Sequence, residues 1–206
     1  MVVIDNYYFL CSMEPYDLNF KNNEKVKSGT ILISDPFIDD KYFGRSVVLI
    51  CSHNPEGSFG FVLNQYLDID LHKADESFPD IQARLSLGGP VGKENLFFIH
   101  RLGSSIDGST SLYNGIYYGG DYNQLRDLLL KSKKNRKDVR FFVGYSGWSP
   151  GQLELEIKEE SWLPVNNISI DMIFDTSNDK IWEQSLEKQG RRFKIMSKFP
   201  RNPEEN

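Results

Sequence analysis

Short apolar runs punctuated by turn residues fill the first half of this chain, and helical spacing appears only later. Thr30 to Ile33 reads as a strand, closed by Asp35-Pro36 because proline donates nothing to a ladder and restrains the residue before it. Ser46 to Ser52 is a continuous apolar run, the pattern of a strand covered on both faces. Asn54-Pro55-Glu56-Gly57 is turn chemistry, and Phe59 to Leu63 returns as the second arm of a hairpin. A short helix is predicted within Asp68 to Phe78. Arg84 to Leu87 runs as a strand into Gly88-Gly89-Pro90, with Leu96 to His100 paired beside it. Ile106 to Asn114 reads as polar loop, and Gly115 to Tyr118 as a strand.

Gly119-Gly120-Asp121 then opens a helix with Asp121 as N-cap and Leu125, Leu128 and Leu129 as its buried stripe. Arg140 to Val143 is a strand that enters a glycine-punctuated turn over Gly144 to Trp148. Ser149, Pro150 and Gln152 give the start of the next helix. Ser149 can accept from the Gln152 N–H, and Gln152 can reach back to the Ser149 N–H. Trp162 to Val165 and Ile168 to Phe174 read as strands. Asn178 to Gln189 reads as a helix with Ile181, Trp182, Ser185 and Leu186 inward and Gly190 as its stop. Phe193 to Phe199 adds an edge strand. The pattern predicts an α+β domain of about eight strands and about three or four helices. Residues 1–28 lack periodicity and read as an N-terminal extension to a single domain over 29–206. Arg45 and Arg140 each precede an apolar strand and a glycine turn, a thin internal echo.

A chain of 206 residues is long enough to bury roughly 70% of its unfolded surface. Its net charge of −5 argues against a surface devoted to polyanions. Two patches run against that balance. Lys131 to Arg140 holds six basic residues and one acid, and Arg191, Arg192, Lys194, Lys198 and Arg201 form the second. The first reads as a solvated helix end, or as a contact for nucleic acid or an acidic partner. Specific DNA binding is not expected, because no nucleic-acid motif accompanies either patch. No apolar run approaches the ~20 residues of a membrane helix. The N-terminus lacks the basic region of a signal peptide. Cys11 and Cys51 make no disulfide framework, and Cys51 reads as an inert core residue. His53, His72 and His100 show no metal-ligand spacing, and no cofactor motif is present.

The ordered set of short motifs is more telling than any one of them. It runs through Leu32-Ile33-Ser34-Asp35-Pro36-Phe37, Phe43 to Ile50, Gly60 to Asn64, Leu87 to Val91, Gly119-Gly120-Asp121 and Gly144 to Glu156. His53, Gly57, His100, Tyr117, Trp162, Asp171, Phe174 and Trp182 belong to the same set. With these the chain resembles the AlgH/YqgE family, a bacterial group without an established biochemical activity. The resemblance implies one compact α+β domain with a barrel-like or bifurcated mixed sheet. It also implies a cytoplasmic protein and, through the family name, a link to transcriptional regulation. The chain departs from the family at Asn64-Gln65-Tyr66, where a basic residue and a proline are usual.

Each candidate site has a structural reading beside its chemical one. Gly144-Tyr145-Ser146-Gly147-Trp148 invites comparison with a nucleophile elbow, but its second glycine, Gly147, falls one place early and Trp148 stands where that glycine should be. Gly88-Gly89 and Gly119-Gly120 read as tight turns or as phosphate-approaching backbone. Asp35, Arg45, Asn64, Asp121, Gln152 and Glu154 stand at strand ends and helix starts, where they line a cleft or cap backbone. The chain is therefore expected to be a non-enzymatic regulatory or protein-interaction module, with a protein as its partner. The alternative is a small-ligand-binding protein or weak enzyme. Its cleft would lie beside Gly144 to Trp148 and draw on Arg45, His53, Asn64, His100, Asp121, Tyr145, Trp148 and Gln152.

Overall fold

The fold was analysed in a computed structural model, which describes residues 19–81 and 83–200. Cys11, Arg201 and the first part of the expected extension lie outside the described residues. The strands are β1 (Ile31–Ser34), β2 (Val47–Asn54), β3 (Gly57–Val62), β4 (Tyr66–Asp70), β5 (Arg84–Leu87), β6 (Val91–His100), β7 (Thr110–Tyr113), β8 (Ile116–Tyr118), β9 (Val139–Trp148) and β10 (Trp162–Val165). The helices are α1 (Leu71–Ala74), α2 (Tyr122–Lys131), α3 (Gln152–Lys158), α4 (Ile170–Phe174), α5 (Ile181–Glu187) and α6 (Arg191–Met196). Short 3-10 turns cover Gly103–Ser105 and Lys133–Asp138.

All strands join one ten-stranded sheet whose main path is β10-β1-β2-β3-β9-β6-β8-β7. Pairing is antiparallel except between β5 and β9. The sheet is not closed into a barrel; it branches at β9. The first half of β9 pairs with β5 at Phe142 and Val143, and its last residues pair with β3 from Ser146 to Trp148. The branch needs glycine. Gly144 turns the strand at φ +69, where a Cβ would meet the carbonyl oxygens of Gly89 and Val91 at 2.8 Å. A Cβ on Gly88 would meet the Gly144 carbonyl at 2.3 Å. The Gly88-Gly89 pair thus marks a backbone crossing.

The α+β class stands, with corrections in detail. The Gly144–Trp148 segment is strand rather than turn, because Tyr145 pairs with Val91 and Trp148 with Ser58. Tyr66–Asp70 and Thr110–Tyr113 are strands hidden by polar residues on edges, and the sheet holds ten strands rather than about eight. Ile170–Phe174 and Arg191–Met196 are helices where strands were expected. In the first, alternating Ile168, Ile170, Met172 and Phe174 imitate a strand, yet all four pack on one apolar cluster, the last three from a helical turn. In the second, Phe193 and Met196 are buried three residues apart, a helical spacing. Helix α3 also starts later than expected. Its N-cap is Gly151, and Ser149 makes no side-chain cap bond. Gln152 does complete its half, accepting the Ser149 N–H at 2.9 Å.

Burial explains the shape. Val47, Leu49 and Cys51 of β2 face one cluster while Val48 and Ile50 face another, as the unbroken apolar run requires. The larger cluster lies beneath α5 and α6, whose Trp182, Leu186, Phe193 and Met196 enter it. Phe61 and Phe142 stack at 4.5 Å inside it, across the branch. Residues 19–30 lie against the same body: Phe20 is buried, and its N–H donates to the Glu160 carboxylate at 2.8 Å. A further cluster holds α1 and α2 through Leu71, Leu125 and Leu129.

Candidate functional site

An open groove of about 660 Å³ lies where β2, β3, β9 and the start of β6 meet. Its floor is aromatic. The Tyr145 ring meets Phe97 at 5.7 Å and Phe59 at 6.1 Å, both edge to face. Cross-strand register puts these side chains on one face, since Val91 is opposite Tyr145 and Phe59 is opposite Gly147. Gly147 lets the Tyr145 ring lie over it, for a Cβ there would meet that ring at 3.3 Å. Asn54, Glu56 and Ser149 give the groove a polar rim.

A bulge sets the neighbouring chemistry. The β2–β3 register shifts between Ile50 and Ser52, so Ser52 rather than His53 faces the groove with Phe59. His53 falls on the opposite face, opposite Ser58, which is itself opposite Trp148. Its Nδ1 lies 2.8 Å from the Ser58 hydroxyl and its Nε2 3.6 Å from Glu154.

The eight candidate residues fall into separate groups. Tyr145 and Trp148 line the groove. His53 stands behind it through Ser58, and Gln152 joins Trp148 through Glu156. That carboxylate accepts from the indoles of Trp148 and Trp162 at 2.8 Å each and from Gln152 Nε2 at 2.9 Å. Arg45 and Asn64 share a different recess, of about 370 Å³. There Asn64 accepts from the Val47 N–H and donates to the Arg45 carbonyl, both at 2.8 Å. The Arg45 guanidinium lies over Trp182 and donates to the Phe199 carbonyl. His100 and Asp121 flank the loop at Ile106 to Ser109. Asp121 caps α2 by accepting from the Asn123 and Gln124 N–H groups.

Ser58, His53 and Glu154 form a polar chain beside the groove, whereas Ser146, Cys51 and His100 are engaged in internal contacts or buried. Ser146 is buried and donates to the Gly88 carbonyl at 3.0 Å. Burial pushes the Cys51 thiol far up, so it stays protonated. His100 Nδ1 accepts the Leu102 N–H at 3.3 Å, which leaves its proton on Nε2, directed at Ser109 Oγ 2.9 Å away. Burial lowers its pKa, with hydrogen bonding to the neighbouring turn opposing. Among the described residues no group of three or more His, Cys, Asp or Glu is placed to hold a metal. No described helix is long and apolar enough to cross a membrane.

The comparison with known proteins matches this architecture. A family profile described as AlgH-like covers residues 31–194. The chain belongs to the AlgH-like family. A UPF0301 protein of Parabacteroides distasonis is 41% identical over 179 residues, covering 85% of this chain and 89% of the relative. A UPF0301 protein of Chlorobium limicola is 37% identical over 180 residues, covering 87% and 96%. The solution structure of the AlgH protein from Pseudomonas aeruginosa shares the fold, with a TM-score of 0.68 at 21% identity over 87% of this chain and 97% of that one. A crystal structure from Corynebacterium diphtheriae superposes with a TM-score of 0.70 at 23% identity, over 86% and 95%.

Within this AlgH-like chain, the departure at Asn64-Gln65-Tyr66 has a local account. Gln65 donates to the Lys41 and Tyr42 carbonyls, and the Tyr66 ring carries the Arg84 guanidinium at 3.6 Å. Sequence reasoning missed Phe59 and Phe97 as groove residues and Glu156 as the acceptor for both tryptophans. The Gln152–Glu156 spacing was available as a signal, because i and i+4 share a helix face; Trp148 ends β9 and was not covered by that rule.

Proposed function

We propose that the protein is a non-catalytic interaction module that seats an extended, apolar segment of a partner protein in the groove at the end of β9. One observation carries this reading. The aromatic floor of Phe59, Phe97 and Tyr145 lies open beside a strand edge, since β6 pairs with β9 up to Tyr145 and no described strand covers that side of β9 beyond it. An extended peptide can add to such an edge through its backbone while alternate side chains enter the floor. The engagement of Ser146, Cys51 and His100 in internal contacts supports a binding role over catalysis. A cytoplasmic setting and an effect on transcription belong to this reading through the partner, not through direct DNA contact.

The test is a titration of the isotopically labelled full chain with blocked hexapeptides that alternate threonine with phenylalanine, valine or leucine. Saturable shifts are expected at Phe59, Val91 and Gly147, with affinity weakened about tenfold or more by Tyr145→Ala. The reading fails if no peptide saturates, or if the shifts gather away from the groove. Saturation by an anilinonaphthalene sulfonate dye alone would select the alternative, small-ligand binding.

A further inference from the structure

A second cavity, of about 540 Å³, lies at the opposite end of β9, between the start of that strand, the turn Lys133–Asp138, the start of β5 and helix α4. Arg84, Arg101, Arg136, Lys137 and Arg140 line it, against Asp171 and Asp175. That surplus of positive charge sits in a protein of net charge −5.

The pairing inside the cavity is uneven. Arg101 is matched by Asp138 and Asp171, each at 2.9 Å, and Arg84 by Asp179 at 3.2 Å. Asp175 is held by the Ser177 N–H at 2.9 Å and the Ser177 hydroxyl at 2.6 Å. Among the described residues, Arg136, Lys137 and Arg140 have no carboxylate within 4.0 Å. Arg140 is only 1% exposed. It donates only to neutral acceptors: the Ile173 and Leu63 carbonyls, the Ser86 hydroxyl at 3.1 Å and the Tyr66 hydroxyl at 3.4 Å. The Nε groups of both Arg136 and Arg140 are buried without a hydrogen-bond partner. Asp175 couples to Arg140 electrostatically without hydrogen-bonding it. A guanidinium stays charged, so a buried one with no paired carboxylate is costly and attracts an anion.

We propose that this cavity binds a small, multiply charged phosphate-class anion. Planar guanidinium forks match phosphate oxygens two at a time, and Lys137 adds a mobile point charge at the mouth. The volume exceeds what inorganic phosphate fills and suits a phosphorylated small molecule. Arg140 is a positioning residue here: it fixes the cavity wall and supplies field, while Arg136 and Lys137 meet the ligand.

The experiment is calorimetric titration of the full chain with sodium pyrophosphate, beside thermal melts in phosphate, citrate and sodium chloride at equal ionic strength. Saturable binding of pyrophosphate at one site is expected, with a rise in Tm that sodium chloride does not reproduce. The Arg136→Gln/Lys137→Gln double variant should weaken binding about tenfold or more, through loss of two charge-assisted contacts. Its Tm without ligand should stay close to that of the parent. The proposal is overturned if pyrophosphate acts no differently from sodium chloride, if the double variant binds as tightly as the parent, or if citrate binds equally well.

Discussion

At its start β9 carries Arg140 into the interior, and at its end it carries Trp148 to the rim of an apolar groove. Both side chains bury N–H donors: the Trp148 indole finds an acceptor, while Arg140 satisfies its terminal nitrogens and leaves its Nε unpaired. Arg140 finds carbonyls and hydroxyls, so its hydrogen bonds all go to neutral groups. Trp148 finds the Glu156 carboxylate, so a neutral donor meets a charged acceptor. One strand thus supports two surfaces of opposite character. The cationic end suits a small anion, and the aromatic end suits an apolar chain. The difference follows from what meets β9 at each place: α4 and the residue after β3 each bring a carbonyl to the first, and α3 brings a carboxylate to the second.

Four experiments bear on this contrast, beginning with the largest effect. We propose that residues 29–199 unfold as one unit even though β9 belongs to two branches, because Phe61 and Phe142 stack across the junction. A single calorimetric transition, coincident by fluorescence and circular dichroism, is expected; two resolved transitions would separate the branches. Arg140→Ala should cost about 3–5 kcal/mol in urea unfolding, since it leaves several buried acceptors unpaired. Arg140→Lys should recover little, because an ammonium cannot span the same acceptors. Glu156→Ala should cost less, about 2–3 kcal/mol, from two indole donors left without an acceptor. An Arg140 variant milder than the Glu156 variant would reverse the ranking.

The smallest effect concerns His100. Its folded pKa lies below the unfolded value of about 6.5, so between the two the unfolded chain binds more protons. Its contribution to stability is full above pH ~6.5 and is lost as pH falls through the depressed folded value. Unfolding midpoints at pH 7 and pH 5 should therefore fall more steeply for the parent than for His100→Gln. Equal slopes would show that His100 does not carry this dependence.

Much of the scaffold was legible in the sequence because burial writes a strong pattern. The run Val47 to Cys51 announced a strand covered on both faces, and Asp121 announced its helix by capping chemistry. The region after Ser169 was misread for a physical reason. Short helices packed on an apolar cluster need not show an amphipathic stripe, and Ile170–Phe174 takes its state from what it touches. The candidate site was legible only in part. Tyr145 and Trp148 were visible from their place near the glycines. A bulge cannot be read from composition, so the side on which His53 falls could not be predicted. Nor could the meeting of Arg84, Arg101 and Arg136, which depends on how the branch folds back.

The place of β1 has a consequence for synthesis. Ile31–Ser34 is wholly buried and pairs on one side with β2 and on the other with β10, roughly 130 residues later. A ribosome adding about 5–20 residues per second needs on the order of ten seconds to make that stretch. Throughout that interval the outer edge of an apolar strand lacks the strand that covers it in the finished fold. The nascent protein therefore carries a sticky edge until Trp162–Val165 emerges, which makes this interval its point of greatest exposure to aggregation and to chaperones.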